Sequence, residues 1–397
     1  MPDVGDRARP GERAEPAARP ASLGTVAREW TRIGVTGFGG PPAHIALLRA
    51  LVVDRRRWMD AREFQDANAA CSLLPGPAST QLSIFCAYRV GGPAGAIVGG
   101  VGFILPAVIL ILLLSVLFLA ANPPLWVRGA GAGAGAAVAA VAVQAARGLI
   151  GPSFERVSVS EARAARWVGY LMVGAAAAAL LGAYLVLALL ACGLVELLTQ
   201  RRLNHPRSIG LLLPGSVSAG GIGALAWTAF KVGALSFGGG FVIIPLMQGD
   251  AVHSYHWMTN SEFLSAVALG QITPGPVVAT VAAVGYAAHG LAGGLLAALV
   301  AFAPSFSFIL LGGGRFEQLR NNQRARAFLD GAGPAAIGAI LGAAILLAGA
   351  LQEGWQFAIL AAAGIALLML KRGIVETLLA AGAVGVVAAL AGAPLPH

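Results

Sequence analysis

The chain has 397 residues, of which 57% are hydrophobic and only 11% are charged. Soluble domains carry about 25% charged residues, so this composition excludes a protein whose whole surface faces water. The formal net charge is +9, but the arginines lie in short segments between apolar runs, which is typical of membrane loops and not of a nucleic-acid-binding face. The three cysteines are scattered and give neither a disulfide framework nor a metal-ligand pattern.

The predicted elements begin with a polar N-terminal segment, residues 1–22, rich in proline, alanine and arginine. It predicts a disordered tail, and it lacks the apolar core of a signal peptide, so we expect no cleaved leader. Two repeats follow, residues 23–200 and 218–393, joined by a polar linker, residues 201–217. Five apolar runs approach or exceed the roughly 20 residues needed to cross a bilayer. These runs are 94–121, 169–199, 291–311, 335–351 and 373–393.

Four motifs occur twice, and the second copy always lies 199 residues after the first, as from Phe38 to Phe237. Internal repeats of this kind decide the fold, and a duplicated membrane unit with broken helices is typical of secondary transporters. We therefore predict an all-α polytopic membrane protein of two pseudo-symmetric repeats with interrupted or re-entrant helices. The paired motifs are Phe38-Gly39-Gly40 and Phe237-Gly238-Gly239, Trp58-Met59 and Trp257-Met258, Glu63-Phe64 and Glu262-Phe263, and Pro75-Gly76-Pro77 and Pro274-Gly275-Pro276.

The two Pro-Gly-Pro motifs are predicted to break helices inside the membrane, because proline removes an amide donor and clashes with the preceding turn. The residues after such a break start a new half-helix, whose free N–H groups and dipole attract an anion. Hydroxyl and amide side chains adjoin both breaks and could donate to an oxyanion; the alternative is a simple proline kink. These side chains are Ser79, Thr80 and Gln81 in the first copy, and Thr273 and Thr280 in the second.

The two Phe-Gly-Gly motifs allow backbone geometry that other residues cannot reach, and bare amides there could form an anion-binding concavity. The alternative is a close crossing of helices. Two cations share the same offset, since Arg32 and Lys231 each lie six residues before the motif phenylalanine. Cations at membrane depth are costly and usually functional, so we predict that this pair neutralises a divalent anion. A side chain that snorkels towards the membrane surface is the alternative.

Two other duplicated motifs have a structural interpretation. Glu63 and Glu262 follow Asp60 and Thr259 at the spacing of a capping box, so we predict that they cap helix starts. Trp58 is expected to anchor its segment at the membrane interface, as is its counterpart in the second copy.

The charged loops indicate that the repeats are inverted. Loop 51–63 contains four arginines, whereas its counterpart, 250–262, contains no lysine or arginine. Segment 314–326 also holds four arginines, against one in 119–128. If basic loops face the cytoplasm, equivalent loops of the two repeats lie on opposite sides of the membrane.

The combination of two Phe-Gly-Gly motifs, each followed by Trp-Met, Glu-Phe and Pro-Gly-Pro, resembles the bacterial chromate transporter family in its long, two-domain form. The resemblance covers both repeats. It implies a multi-pass protein of the bacterial inner membrane that exports chromate and confers chromate resistance, with sulfate as a competitor. The copies differ at Pro41-Pro42-Ala43-His44, against Gly240-Phe241-Val242-Ile243, so the two repeats are not expected to contribute identically to the site.

The sequence thus predicts a secondary transporter of a tetrahedral oxyanion in the lipid bilayer, with no cofactor, no metal and no enzymatic activity. The alternative is an importer or channel for sulfate or another oxyanion. The chain contains no ATP-binding motif, so the membrane potential or a coupled ion is expected to supply the energy. Whether two copies form a homodimer is left open.

Overall fold

A computed structural model describes residues 21–72, 74–155, 157–158, 160–181, 185–201, 221–236, 242–312 and 322–396. Most of the N-terminal tail and of the linker, and Phe237-Gly238-Gly239, lie outside the described residues. All regular structure within these ranges is helical. In the first repeat the helices are α1 (Leu23–Thr36), α2 (Pro41–Arg49) with a π-helical turn (Ala50–Arg55), α3 (Ala61–Cys71), α4 (Ala78–Phe118), α5 (Leu125–Glu155), α6 (Glu161–Leu181) and α7 (Leu185–Arg201).

The second repeat follows the same order of helices, with an additional 3₁₀ turn and an additional π-helical turn. Its helices are α8 (Ile222–Leu235), α9 (Ile243–Gln248) with a π-helical turn (Gly249–Ser254), α10 (Asn260–Ile272), a 3₁₀ turn (Val277–Thr280) that leads into α11 (Val281–Gly312), α12 (Gln323–Gly349), α13 (Gly354–Gly364) with a π-helical turn (Ile365–Met369) and α14 (Ile374–Leu390). Even an unusual backbone conformation recurs at the offset of 199. Arg57 and His256 have positive φ values of 51° and 53°, which are uncommon for residues other than glycine.

The interrupted segments of the first repeat form re-entrant hairpins. Glu63 at the start of α3 forms an ion pair of 2.5 Å with Arg89, although the Pro-Gly-Pro motif lies midway between them. The chain therefore enters along α3, turns at Pro-Gly-Pro and returns along residues 78–90, here called α4a. In the same way, Glu29 on α1 binds Arg55 and Arg56 after α2, so Phe-Gly-Gly is the tip of a second hairpin.

A second sharp turn, at Gly91 and Gly92, sends the chain back across the bundle as residues 93–118, here called α4b. A β-carbon at Gly95 would lie 2.6 Å from the Ala87 carbonyl, which shows that α4a and α4b lie side by side. Exposed apolar side chains on α4b recur every three or four residues from Ile97 to Val116. At 1.5 Å per residue this stripe covers about 28 Å, close to the hydrocarbon thickness of a bilayer.

Four helices of the described chain are long and apolar enough to cross a membrane: α4, α5, α11 with its 3₁₀ turn, and α12. Four shorter apolar helices accompany them. The apolar run 169–199 contains the end of α6 and most of α7, and its residues 182–184 lie outside the described residues.

The two repeats run in opposite directions. The helix equivalent to α4b in the second repeat is residues 291–312, here called α11b, which follows a matching turn at His289 and Gly290. Gly100 of α4b faces Phe306, whereas Gly294 of α11b faces Leu112. Residue numbers therefore fall along one helix as they rise along the other, so equivalent helices pack antiparallel. This packing confirms the predicted inverted repeat.

Helices of each repeat also pack against helices of the other repeat. Helix α5 packs against α13 and α14, and α12 packs against α6 and α7. Small residues permit this contact: a β-carbon at Gly129 would lie 2.6 Å from the Gly385 carbonyl, and one at Gly331 would collide with Cys192. Because lipid gives helices little hydrophobic reason to associate, close backbone packing of this kind holds the bundle together.

Candidate functional site

The Pro-Gly-Pro tips of the two hairpins each contact the opposite repeat. A β-carbon at Gly76 would lie 3.1 Å from the Gly233 carbonyl of α8 and 3.6 Å from the Ser305 hydroxyl of α11b. In the matching position, the N–H group of Gly275 donates to the Gly37 carbonyl at the end of α1, 3.0 Å away. Each break therefore lies against the opposite repeat at the interface between the two repeats.

Only glycine suits the centre of either tip. Gly76 has φ +116° and Gly275 has φ +98°, values that residues with a side chain rarely adopt. Space is also lacking, because a β-carbon would lie 2.7 Å from the Gln81 amide nitrogen at the first tip and 2.8 Å from the Ala107 β-carbon at the second. The motif thus needs glycine for both conformation and packing.

A helix begins immediately after each tip, and neither start is capped by a side chain. Pro77 and Pro276 occupy the N-cap positions and cannot accept a hydrogen bond through a side chain. The first N–H groups of a helix have no partner within the helix, and here the surrounding residues are buried. Two such starts provide N–H donors and two positive dipole ends, which favour an anion.

Four buried hydroxyl groups belong to the segments that form or contact the first tip. Thr80, Ser83, Ser236 and Ser305 are 0% exposed, and their hydroxyl oxygens have no hydrogen-bond partner among the described residues. Unpartnered polar groups in a protein interior are costly, so their presence indicates a ligand or water that completes them. Ser236 and Ser305 belong to the second repeat, whereas the other two belong to the first. Unpartnered hydroxyls therefore occur in both repeats, and that of Ser305 lies beside the first tip.

The second tip differs from the first. Thr280 donates to the Val277 carbonyl (2.7 Å), and Thr273 lies 3.5 Å from the Gly270 carbonyl. Their hydroxyls are thus directed to their own helices. At the first tip, Gln81 donates to the Pro75 carbonyl (2.7 Å) and the Ser79 hydroxyl lies 3.4 Å from His44 Nδ1, whereas the Thr80 hydroxyl has no hydrogen-bond partner among the described residues.

His44 links the two tips, a role that sequence reasoning missed. The ring is fully buried, and its Nε2–H donates to the Gly37 carbonyl at 3.0 Å, the same oxygen that accepts from Gly275. This bond leaves Nδ1 to accept from the Ser79 hydroxyl at 3.4 Å, at the start of α4a. The ring also packs edge-on against Phe103. The only sequence signal was the difference between His44 and its counterpart Ile243.

At the first Phe-Gly-Gly tip, the neighbouring residue Gly37 takes part in the contacts described above, and the phenylalanine does not. The side chain of Phe38 is 47% exposed, and nothing lies within 4 Å of a β-carbon placed at Gly40. Gly39 and Gly40 have positive φ values of 101° and 72°, so the motif does provide the turn that returns α2 towards the bundle surface.

The two predicted cations have different surroundings. Arg32 is exposed on α1, whereas Lys231 forms an ion pair of 2.6 Å with Asp250 in the π-helical turn after α9. Thr228 donates to the same carboxylate oxygen at 2.7 Å. Lys231 is therefore already neutralised, and the structure does not join it to Arg32. Sequence reasoning missed Asp250 because the equivalent residue of the first repeat is Leu51.

The capping predictions hold in part. Thr259 and Glu262 form a reciprocal capping box at the start of α10, as predicted. At α3, Asp60 accepts from the N–H of Glu63 (2.7 Å), but the carboxylate of Glu63 binds Arg89 and does not complete a box. The first copy therefore uses its glutamate to join the two arms of a hairpin.

Inverted repeats, and re-entrant hairpins whose tips contact the opposite repeat at buried, uncapped helix starts, are typical of a multi-pass membrane transporter. Comparison with known proteins specifies the family. The Chromate transporter family model matches residues 24–218 and 223–389, and the chain belongs to this family. Both repeats are included in the match.

Named relatives cover nearly the same length. A chromate transport protein of Cupriavidus metallidurans is 32% identical over 377 residues, covering 90% of this chain and 91% of the relative. A chromate transport protein of Pseudomonas aeruginosa is 30% identical and covers 92% of both chains. An uncharacterized transporter of Methanocaldococcus jannaschii is 25% identical over 78% of this chain and 80% of its own length. No solved structure matches the chain.

Proposed function

We propose that this protein exports chromate from the cytoplasm across the bacterial inner membrane and thereby confers chromate resistance. The anion would bind between the Pro-Gly-Pro tips. The observation that supports this proposal most directly is the uncapped, buried start of α4a beside unpartnered hydroxyls from both repeats. The relatives named as chromate transport proteins supply the substrate.

The chemistry of the site fits a tetrahedral dianion. Each helix start carries the equivalent of about half a positive charge, so two of them supply about one unit without any ionised side chain. Hydroxyl donors on both sides of the interface can reach different oxygens of a tetrahedral ion. The same donors would also bind sulfate, so we expect sulfate to compete with chromate. Arg32 and Lys231 remain a proposed source of further positive charge, and for Lys231 this requires release from Asp250.

The membrane potential can drive export. Moving one charge across 100 mV is worth about 2.3 kcal/mol, so a dianion leaving an inside-negative cell gains about twice that amount. Proteins that provide binding groups from both inverted repeats can open the same site to either side by rocking one repeat against the other.

Everted membrane vesicles test the proposal, since export from the cell becomes uptake into such vesicles. We expect chromate uptake that is reduced by excess sulfate and lost when the potential is collapsed. Collapsing the pH gradient separately would reveal a coupled proton. Uptake into right-side-out vesicles alone would overturn export and favour the importer or channel. Absence of chromate transport in both orientations would refute the substrate.

A matched pair of variants tests the site. Ser305→Ala removes a hydroxyl that has no hydrogen-bond partner in the described part of the chain, whereas Ser115→Ala removes an equally buried hydroxyl on α4b that already donates to the Ile111 carbonyl. A hydrogen bond to a charged group is worth about 1.5–3 kcal/mol, so Ser305→Ala should weaken chromate affinity about tenfold or more. Ser115→Ala should leave it unchanged. Equal affinities in the two variants would place the anion elsewhere.

A further inference from the structure

A cavity of about 320 Å³ lies on the face of the bundle opposite to loop 51–63. Its walls come from the loop after α4, the start of α5, the start of α10 and the C-terminal segment. Phe118, the last residue of α4b, lines the cavity. The other end of α4b follows the turn at Gly91 and Gly92, beside the first repeat's hairpins. We call this cavity the α5–α10 vestibule. Its polar lining includes Arg128, Asn122, Thr259, Ser261, Glu262 and Ser265.

Helix α10 leads from the vestibule to the second Pro-Gly-Pro tip. Ser261 and Ser265 are four residues apart, so they share one face of the helix, and the Ser265 hydroxyl donates to the Ser261 carbonyl at 3.0 Å. Ser265 is 8% exposed and forms the inner part of the lining. From Ser265 to Ile272, the last residue of α10, the helix advances about 10 Å towards the tip.

The opposing wall of α5 packs closely against this face. A β-carbon at Gly131 would lie 2.6 Å from the Ser265 hydroxyl and 3.4 Å from the Phe118 ring. Glycine here therefore allows α5 to contact α10, and this contact closes the inner end of the vestibule in the conformation described. The first repeat does not repeat the arrangement, because its residues equivalent to Ser261 and Ser265 are Arg62 and Asp66, both ionisable.

The two charged side chains at the mouth of the vestibule, Glu262 and Arg128, differ in how accessible they are to a ligand. The carboxylate of Glu262 accepts from the N–H of Thr259 at 2.7 Å and is fixed within the capping box. Arg128 is exposed at the start of α5, and no ion pair of the described residues engages it. Its guanidinium is therefore available to an incoming anion, while Ser261 and Ser265 line the opposing wall of α10.

We propose that the α5–α10 vestibule is the access route for the transported oxyanion on this face of the membrane, and that Arg128 selects anions at its mouth. The inference rests on the proposed function, which it extends by naming a route and a selecting residue. The vestibule takes tetrahedral oxyanions in general, because a single arginine and the hydroxyls of Ser261 and Ser265 recognise charge and oxygen acceptors and do not distinguish the central atom.

Cysteine labelling in the full-length protein tests this route. The native cysteines Cys71, Cys86 and Cys192 are at most 5% exposed, so they should give little background. Ser265→Cys places a thiol inside the vestibule, and Ser261→Cys provides a second position if the first variant fails to fold. We expect an anionic methanethiosulfonate reagent to label the thiol faster than a cationic one of similar size.

The selectivity should depend on Arg128. A charged cleft raises the local concentration of counter-ions by about tenfold or more, so Arg128→Gln should lower the anionic-to-cationic rate ratio about tenfold. Arg128→Lys should largely retain the ratio, and Arg62→Gln, which alters an exposed arginine on the opposite face, should not change it. Equal rates for the two reagents, or a ratio unaffected by Arg128→Gln, would overturn the proposal, as would the absence of labelling at both positions.

Chromate and sulfate should each slow labelling by the anionic reagent. If labelling is selective and depends on Arg128 but chromate does not slow it, the vestibule stands as an anion route and chromate is refuted as its ligand. If chromate is transported while labelling shows no charge preference, the proposed function stands and the route is refuted. The two failures are thus distinguishable.

Discussion

Replacing Gly76 with alanine is expected to damage the first Pro-Gly-Pro tip more than any comparable glycine substitution in the hairpin. An alanine there would keep a φ near +116°, and strained backbone of this kind costs about 1–3 kcal/mol. Its β-carbon would also lie 2.7 Å from the Gln81 amide nitrogen, which now donates to the Pro75 carbonyl. Losing that hydrogen bond adds about 0.5–1.5 kcal/mol.

Gly92→Ala is the matched control, because it separates strain from contact. Gly92 also has a positive φ, +65°, but nothing lies within 4 Å of its β-carbon, and it sits at the turn between α4a and α4b. We expect both variants to lower thermal stability through backbone strain. Only Gly76→Ala should displace the tip, because the Gly233 carbonyl of the opposite repeat blocks the β-carbon at 3.1 Å.

Two measurements on purified, reconstituted protein check this prediction. Thermal unfolding in detergent should place Gly76→Ala about 1 kcal/mol below Gly92→Ala, which corresponds to the lost hydrogen bond. Chromate transport should fall about tenfold or more in Gly76→Ala and stay near the normal rate in Gly92→Ala, since displacement of a binding group by a fraction of an ångström has effects of this size. Normal transport by Gly76→Ala, with stability equal to that of the control, would refute the assignment of the tip to the site.

Three further predictions concern topology, the buried ion pair and the bridging histidine. Cysteines at Arg57 and His256, which are exposed and equivalent, should be labelled by an impermeant reagent from opposite sides of the membrane, and labelling from one side would refute the inverted repeat. Lys231→Met or Asp250→Leu alone should destabilise the protein by about 3–5 kcal/mol in thermal unfolding, whereas the double variant should recover much of the loss, because a single change leaves a buried charge unpaired. Equal losses in single and double variants would contradict that account. His44→Ala should lower chromate transport by breaking the link between the tips, and His44→Gln, which can still donate and accept, should retain more of it; identical rates in the two variants would show that the link is unimportant.

The helix breaks and the helix cap of the repeated motifs could be predicted from the sequence. Helix breaks at Pro-Gly-Pro follow from local chemistry, because proline lacks a donor wherever it lies and glycine alone tolerates φ near +100°. The repeated offset then indicated that two breaks belong together. The capping box at Thr259 and Glu262 was equally accessible, since its partners are three residues apart. Each of these features depends on residues close together in the chain.

Contacts between residues that lie far apart in the chain could not be predicted from the sequence. Ser305 faces Gly76 and His44 joins Gly37 to Ser79, yet no spacing rule relates these positions. Lys231 was identified as a cation at membrane depth, but the carboxylate that neutralises it had no counterpart in the other repeat. A repeat comparison shows what the copies share, and the asymmetric residues that complete the site are invisible to it.

The sequence by itself determined the class of protein, because a chain with so few charged residues cannot form a surface that faces water on all sides. It also determined the duplication and the positions of the helix breaks. Only the tertiary structure decided that the broken segments return to the side from which they enter, and that each tip contacts the opposite repeat. The physical reason is that a helix break has the same local chemistry whether the chain continues onwards or turns back. The choice is made by packing partners such as Glu63 with Arg89 and Gly275 with Gly37, which the chain brings together only when it folds.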